Sequence, residues 1–452
     1  MKEIILSIYK SFGIKSFRTK NIVKHIGSSF FLKAGSILAN FMIIPLSIDY
    51  LDTENFGVWL TISSFISWFS FFDIGLGNRL RNKFTESIAN NDFESAKGFV
   101  STAYYTIGAI SLLIFLVFFV VNQHIDWSTV FNTSTNDNLS VLLLIIFSFF
   151  CIQLVSNLII SIYQADQHHS IQNYFQFIVQ ITSLLLVWLL TKTEGSSLLL
   201  FGSIYSALPL VIIIFLNIFS FQTKYKEFKP KLSYWRKDYL MEITGLGFKF
   251  FIIQIAAIIL FSTDNFIITK LFGPEEVVPY NLAYKYFSIV IIIFSVIVTP
   301  FWSSFTEAYE KKDFNWIKKS VNNIQKIWLL LVLFTFLMLI ISNWFYYIWV
   351  GDKVLVPINL SISMALFVLL TTFNMVYVNF INGVGKLKLQ LITAIISMII
   401  NIPLSIYFSK YLEWGVSGVI LATCFCSLYS VILKPMQYYK IINKKAKGIW
   451  NR

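Results

Sequence analysis

The sequence predicts an all-α polytopic membrane protein, with about twelve transmembrane helices in two six-helix lobes related by a pseudo-twofold axis along the membrane normal. Three observations carry this reading: the composition, the spacing of the apolar runs, and a phrase that occurs twice. Of the 452 residues, 56% are hydrophobic, 46 are Phe and only 13% are charged, and the mean hydropathy is +0.70. A soluble core of this length cannot bury that much apolar surface.

The elements follow in order. Residues 1–26 mix Lys and Arg with Ile and Phe and lack a short apolar core followed by a small-residue cleavage site, which predicts a cytoplasmic amphipathic segment on the inner leaflet. Runs of about 20 apolar residues, enough to cross a bilayer core, lie near 27–50, 56–76, 99–121, 140–162, 172–190 and 198–221. A basic linker, 222–245, precedes a second set near 246–269, 280–302, 325–343, 357–382, 389–408 and 416–434. The lobes are therefore expected over 27–221 and 246–436, with a basic cytoplasmic tail at 437–452.

The repeated phrase is FTESIANNDF from Phe84 and FTEAYEKKDF from Phe305, an offset of 305 − 84 = 221. The same offset relates Thr85 to Thr306, Glu86 to Glu307, Asp92 to Asp313, Phe93 to Phe314, Lys97 to Lys318, Val100 to Val321 and Glu54 to Glu275. A fixed offset of half the chain is the mark of a duplicated module. Six spans per copy is an even number, so the copies run parallel and both phrases lie in the inner loop after the second span. Two roles are open for them. They fasten an inner loop to the bundle, with Thr as an N-terminal acceptor and acids in the first turn, or they bring Glu86 and Glu307 together as an inner gate.

The net charge of +13 does not imply nucleic acid, because topology accounts for it. With a cytoplasmic N-terminus, inner loops and inner helix ends hold 31 Lys and Arg, outer loops hold Lys192, Lys270, Lys353 and Lys410, and Lys285 lies within a span. The positive-inside rule then places both termini in the cytoplasm. Cys151, Cys424 and Cys426 fall within spans and form no ligand spacing with His, so neither a disulfide framework nor a metal or other cofactor is expected. His168 and His169 read as a solvated pair in a short inner loop.

Within the spans, polar residues fall on helical faces. Lys33, Ser36, Asn40 and Ser47 share one face of the first span; Asn281, Lys285, Ser288, Ser295 and Thr299 share one face of the eighth; Ser63, Ser67 and Ser70 lead through Gly77 towards Arg81. Serines alone are explained by hydrogen bonds between packed helices. Stripes that include Lys33 and Lys285 predict a hydrated, positive cavity suited to an anion. Asp264 and Lys285 are expected at matching depths below the outer ends of their spans, where they would pair, either as a permanent structural salt bridge or as a pair that an incoming diphosphate opens, which offers one route to ion coupling. No phosphate loop and no hydrolytic constellation is present, so transport fits better than catalysis.

The stretches FGVWLTISSFISWFSFFDIGLGNRLRNKF from Phe56, STDNFIITKLFGPEEVVPYNLAYKYF from Ser262, PFWSSFTEAYEKKDFNWI from Pro300 and NGVGKLKLQ from Asn382 resemble the bacterial polysaccharide-transporter family. That family includes O-antigen and other lipid-linked oligosaccharide flippases of the multidrug/oligosaccharidyl-lipid/polysaccharide exporter superfamily, and the resemblance covers nearly the whole chain. It implies two lobes that rock about a central cavity in the bacterial cytoplasmic (inner) membrane. It also implies a substrate, a glycan on undecaprenyl diphosphate moved from the inner to the outer leaflet; H+ or Na+ is the candidate coupling ion, with membrane potential as the other driving force open to it, and other polysaccharide-assembly membrane proteins are candidate partners. Lys33, Lys285, Arg81 and Arg79 would then meet the diphosphate, and Ser36, Asn40, Ser67, Asn281 and Ser288 the sugars. Arg79 stands where related sequences often carry a small residue. A drug antiporter of the same superfamily would favour an acidic cavity. A polytopic polymerase or ligase would need more than the 17-residue outer loop NQHIDWSTVFNTSTNDN.

Overall fold

The computed structural model describes residues 18–69, 76–135, 137–166, 171–244, 263–299 and 301–451, with backbone only at 18–31, 78, 243, 244 and 303. The described residues hold no strand. The helices are α1 (Arg18–Ser67), α2 (Leu76–Ala89), α3 (Phe93–Asn122), α4 (Trp127–Phe131), α5 (Leu139–Ser156), α6 (Leu158–Ala165), α7 (Ile171–Leu190), α8 (Leu198–Gln222) and α9 (Lys237–Thr244). They continue as α10 (Asp264–Phe272), α11 (Val277–Val298), α12 (Phe301–Glu310), α13 (Phe314–Val350), α14 (Ile358–Val384), α15 (Lys388–Ile406) and α16 (Gly415–Ile442).

Among the described residues, ten helices are long and apolar enough to cross a membrane. The first two expected spans both fall in α1, which breaks at Asp52, eight more match single helices, and the span at 140–162 runs through α5 and α6. The span at 246–269 lies mostly outside the described residues, as do residues 1–17 and the His168–His169 pair. Broad apolar faces stay exposed, as at Leu330, Ile340 and Trp344 of α13 (67%, 65% and 65%). Surfaces of that size call for lipid rather than water.

The described residues divide into two compact units. The first draws on Met1–Asp52, Phe72–Ile125 and Asn136–Gly245, and its core includes Leu80, Phe84, Val100, Ile107, Ile159 and Ile213. The second draws on Thr53–Phe71, Asp126–Thr135 and Leu246–Arg452, around Phe287, Phe294, Phe305, Val368 and Phe380. Two stretches of the amino-terminal sequence half thus belong to the unit built mainly on the carboxy-terminal half. Local contacts explain this: Thr61 and Thr269 share a hydrogen bond of 2.7 Å, and Asn132 donates to the Thr269 carbonyl at 3.3 Å. At Gly57 a Cβ would stand 1.9 Å from the Pro274 carbonyl oxygen, so only glycine allows the approach.

The 221-residue offset recurs as backbone geometry. Asp52 and Gly273 both leave the helical region with positive φ, 68° and 99°, between the first and second spans of their halves. Asn91 and Lys312 both have φ 57°. Asp92 then caps α3 by accepting from the Ser95 amide, and Asp313 caps α13 by accepting from the Trp316 amide, each at 3.0 Å. Thr85 and Thr306 lie inside helices and are not caps, correcting the expected acceptor role. Each donates to a carbonyl at a distant helix end, Ala165 at 3.1 Å and Gly383 at 3.0 Å. Phe84 and Phe305 beside them are 2% and 0% exposed. The duplicated phrase thus fastens a short helix to its bundle twice, by one buried ring and one hydroxyl, and turns the chain on an aspartate cap.

Candidate substrate-binding faces

In the first unit, α1 carries Lys33, Ser36 and Asn40. Lys33 is exposed and the other two are half-buried. Ser36 donates back to the Leu32 carbonyl at 2.8 Å, and Asn40 donates to the Gln180 side-chain oxygen on α7 at 3.3 Å. The helices meet closely there, since a Cβ on Gly35 would reach within 2.6 Å of the Phe177 ring. Gln180 is not legible in the sequence, because a single amide in an apolar span announces no partner; the polar Asn40 on a lysine-bearing face is its available signal.

On α2, Arg79 and Arg81 are half-buried. Lys83, on the same helix, bridges Glu242 at 2.9 Å and Glu86 at 3.2 Å, and these two carboxylates raise its pKa above the ordinary lysine value, Glu242 more than Glu86. Glu307 is bonded by Lys311, which holds its carboxyl below the usual range. Both proposed gate acids are therefore engaged by a lysine on their own or the adjoining turn, Glu86 at i−3 and Glu307 at i+4.

The second unit gathers a denser polar set. Asn265 of α10 donates to the Ser64 hydroxyl at 2.8 Å, and its side-chain oxygen accepts from Asn281 of α11 at 2.9 Å. Asn281 also donates to the Val277 carbonyl at 2.9 Å. Three helices are thereby joined through amide and hydroxyl groups around the buried Asn265, an arrangement that rewards complete satisfaction. One turn further along α11 stands half-buried Lys285, then Ser288, on the side away from buried Phe287, Val290 and Phe294.

Asp264 adjoins this set, 3% exposed. The partner the structure gives it is the hydroxyl of Tyr280, not Lys285, which corrects the expected ion pair. Its other carboxylate oxygen is buried without a hydrogen-bond partner among the described residues. Ser36, Ser67 and Ser288 each donate to a carbonyl of the preceding turn, at 2.8, 2.7 and 2.8 Å. The hydroxyls of Ser36 and Ser288, so engaged, keep only their acceptor capacity for a ligand, which suits the O–H groups of a sugar. Among the described residues no three His, Cys, Asp or Glu side chains group as metal ligands.

Among the described residues, the second unit holds a half-buried lysine, a serine hydroxyl with acceptor capacity and paired amides, groups that can receive an anion bearing hydroxyl groups. Comparison with known proteins places the chain. A family model described as polysaccharide biosynthesis protein matches residues 22–306, and a second, MatE, matches 250–407. A Yersinia pseudotuberculosis protein named for O-antigen export is 22% identical, over 89% of this chain and 91% of its own length. A Salmonella typhimurium protein named for O-antigen transport is also 22% identical, over 87% and 91%. Among solved structures, an inward-facing multidrug resistance MATE family transporter of the MOP superfamily superposes with TM-score 0.74 at 15% identity, over 91% of this chain and 96% of that one. An outward-facing form gives 0.60 at 15% identity, over 92% and 97%. At such identity these likenesses establish the fold.

Proposed function

The chain belongs to the polysaccharide biosynthesis protein family, and from that membership we propose that it is a polysaccharide transporter: a flippase that carries undecaprenyl-diphosphate-linked oligosaccharide from the inner to the outer leaflet of the bacterial cytoplasmic membrane. Alternating access of a cavity to the two sides is the mechanism proposed, with both termini cytoplasmic. The names of the O-antigen relatives support the substrate class and a role other than catalysis.

The observation that carries the reading is Lys285 within α11, on a polar stripe turned away from the core of its unit. An embedded lysine on an isolated lipid-facing stripe would cost on the order of 3 kcal/mol on the insertion scale. A diphosphate offers oxygens that an ammonium on such a stripe can bind, and Lys33, Arg79 and Arg81 extend the cationic set in the first unit. Ser36, Asn40, Ser67, Asn281 and Ser288 offer loose contacts to sugars of varied structure, while the polyprenyl tail stays in lipid. Asp264 is the acid best placed to take up H+ or Na+ as coupling ion, and Glu86 and Glu307 would act at the inner gate. Other polysaccharide-assembly membrane proteins would supply and consume the lipid-linked glycan.

The test is leaflet translocation in proteoliposomes with a defined undecaprenyl-diphosphate oligosaccharide beside a cationic dye. The wild type is expected to move the glycan and not the dye. Lys33→Ala and Lys285→Ala should each lower the glycan rate about tenfold or more, in proportion to one lost charge-assisted contact, with insertion intact. Dye transport with no glycan transport would turn the reading to a drug antiporter.

A further inference from the structure

The span ending at 434 in the sequence continues to Ile442 as α16, which leaves Lys434 eight residues inside the helix, about 12 Å from its inner end at 1.5 Å per residue. Its direction follows from the helix period. The exposed stripe of α16 runs through Phe425, Leu428, Ile432, Met436 and Tyr439, at 55%, 43%, 60%, 42% and 54%. Lys434 is two residues from both Ile432 and Met436, close to the opposite side of the helix. It shares that side with Tyr438 and Ile441, which are 3% and 4% exposed, yet Lys434 itself is only half-buried. The side chain of Lys434 therefore lies on the interior side of α16 while keeping part of its surface accessible. Among the described residues Lys434 has no hydrogen bond and no ion pair.

What lies opposite is fixed by the register of α16 on α14. Tyr438 packs on Tyr377, with ring centroids 5.6 Å apart, and Cys424 Sγ lies 4.0 Å from the Ser363 carbonyl oxygen. Both pairs are 61 residues apart (438 − 377 and 424 − 363), so the helices run parallel and Lys434 is level with Phe373 and Asn374. The side-chain oxygen of Asn374 is buried without a hydrogen-bond partner among the described residues. A three-donor cation and an unfilled, buried amide acceptor thus stand at one level in the inner half of the second unit.

We propose that Lys434 and Asn374 form a subsite for the junction of phosphate and first sugar, with the ammonium on phosphate oxygens and the Asn374 oxygen accepting from a sugar hydroxyl. The inference deepens the flippase reading and rests on it. A ligand with only one of the two functions, such as bare polyprenyl diphosphate, satisfies Lys434 and leaves Asn374 unfilled. Buried polar groups left unpaired discriminate strongly, so this pair would bias the carrier towards glycosylated lipid.

The experiment uses the full chain in nanodiscs and reads binding rather than transport. Lys434→Cys is expected to react with a cationic, membrane-impermeant thiol reagent, against a wild-type background in which Cys151, Cys424 and Cys426 are buried. Undecaprenyl-diphosphate disaccharide should slow that reaction several-fold, and an equal amount of phosphatidylglycerol should not. In titrations, Lys434→Gln should weaken both undecaprenyl diphosphate and its disaccharide about tenfold, Lys434→Arg should restore most of the affinity, and Asn374→Ala should weaken the disaccharide alone. An unreactive or unprotected cysteine, or equal protection by phosphatidylglycerol, overturns the subsite. If Lys33→Ala and Lys285→Ala lose binding while Lys434→Gln keeps it, the subsite falls and the flippase reading stands. If the wild type binds neither lipid, both fall.

Discussion

At the residue scale, Asp264 shows how depth and direction differ. Lys285 and Asp264 have matching depths when counted along their spans, but five residues separate Lys285 from Tyr280, which turns it about 140° around α11. Tyr280, 5% exposed, is on the buried side with Ala283 and Phe287, and it reaches the carboxylate; Lys285 does not share that side. The expected outcome is that Tyr280→Phe lowers stability by about 1–3 kcal/mol, because it leaves a buried carboxylate without its donor. Asp264→Asn should cost less, since it removes the buried charge itself. Thermal unfolding in detergent checks this. A loss on Lys285→Gln as large as that on Tyr280→Phe would restore the ion-pair reading.

At the scale of elements, the turn between α2 and α3 and the turn between α12 and α13 are one device used twice. A positive-φ residue, an aspartate cap and a threonine bonded to a far carbonyl recur at Asn91, Asp92 and Thr85, and at Lys312, Asp313 and Thr306. Hydrogen bonds from Ser95 lower the Asp92 pKa from its ordinary 3.8. A carboxylate with a depressed folded-state pKa contributes its stability fully above the unfolded value and loses it as pH falls through the folded one. Asp92→Ala should therefore lower the unfolding midpoint at neutral pH, and its difference from wild type should shrink below pH 3.8. Asp92→Asn, which caps without titrating, should hold the midpoint at neutral pH and flatten its acid dependence. Equal acid dependence in wild type and Asp92→Asn would assign the cap no part in it.

At the scale of the molecule, the distribution of 31 basic residues on one side against four on the other sets the orientation proposed. Cysteines at Asn90, in the first duplicated turn, and at Ser134, in the loop after α4, are expected to label oppositely with an impermeant reagent in intact cells, Ser134→Cys reacting and Asn90→Cys only after permeabilisation. Both side chains are exposed, so equal labelling would argue against the topology and not against access. The loop holding Ser134 is fastened to the second unit through Glu54, whose carboxylate accepts from the Thr133 hydroxyl at 2.7 Å and the Ser134 amide at 3.2 Å.

The sequence by itself determined the medium, the helices and the duplication. Apolar runs set by bilayer thickness and a fixed 221-residue offset are properties of one dimension, and eight of the expected spans match single helices, one runs through α5 and α6, and two share α1. The Lys33, Asn281 and Lys285 stripes were legible for the same reason, since a helical face follows from spacing. What spacing cannot supply is which face meets which neighbour. Tertiary structure decided that Asn40 meets Gln180, that Asn265 joins Ser64 to Asn281, and that Asp264 takes Tyr280. It also decided that residues 53–71 pack with the second unit and not with the half that encodes them. A buried polar group must find its partner among whatever packing brings near, and nearness between helices depends on rotation, register and close approach, as at Gly57 and Pro274, none of which is written along a single chain.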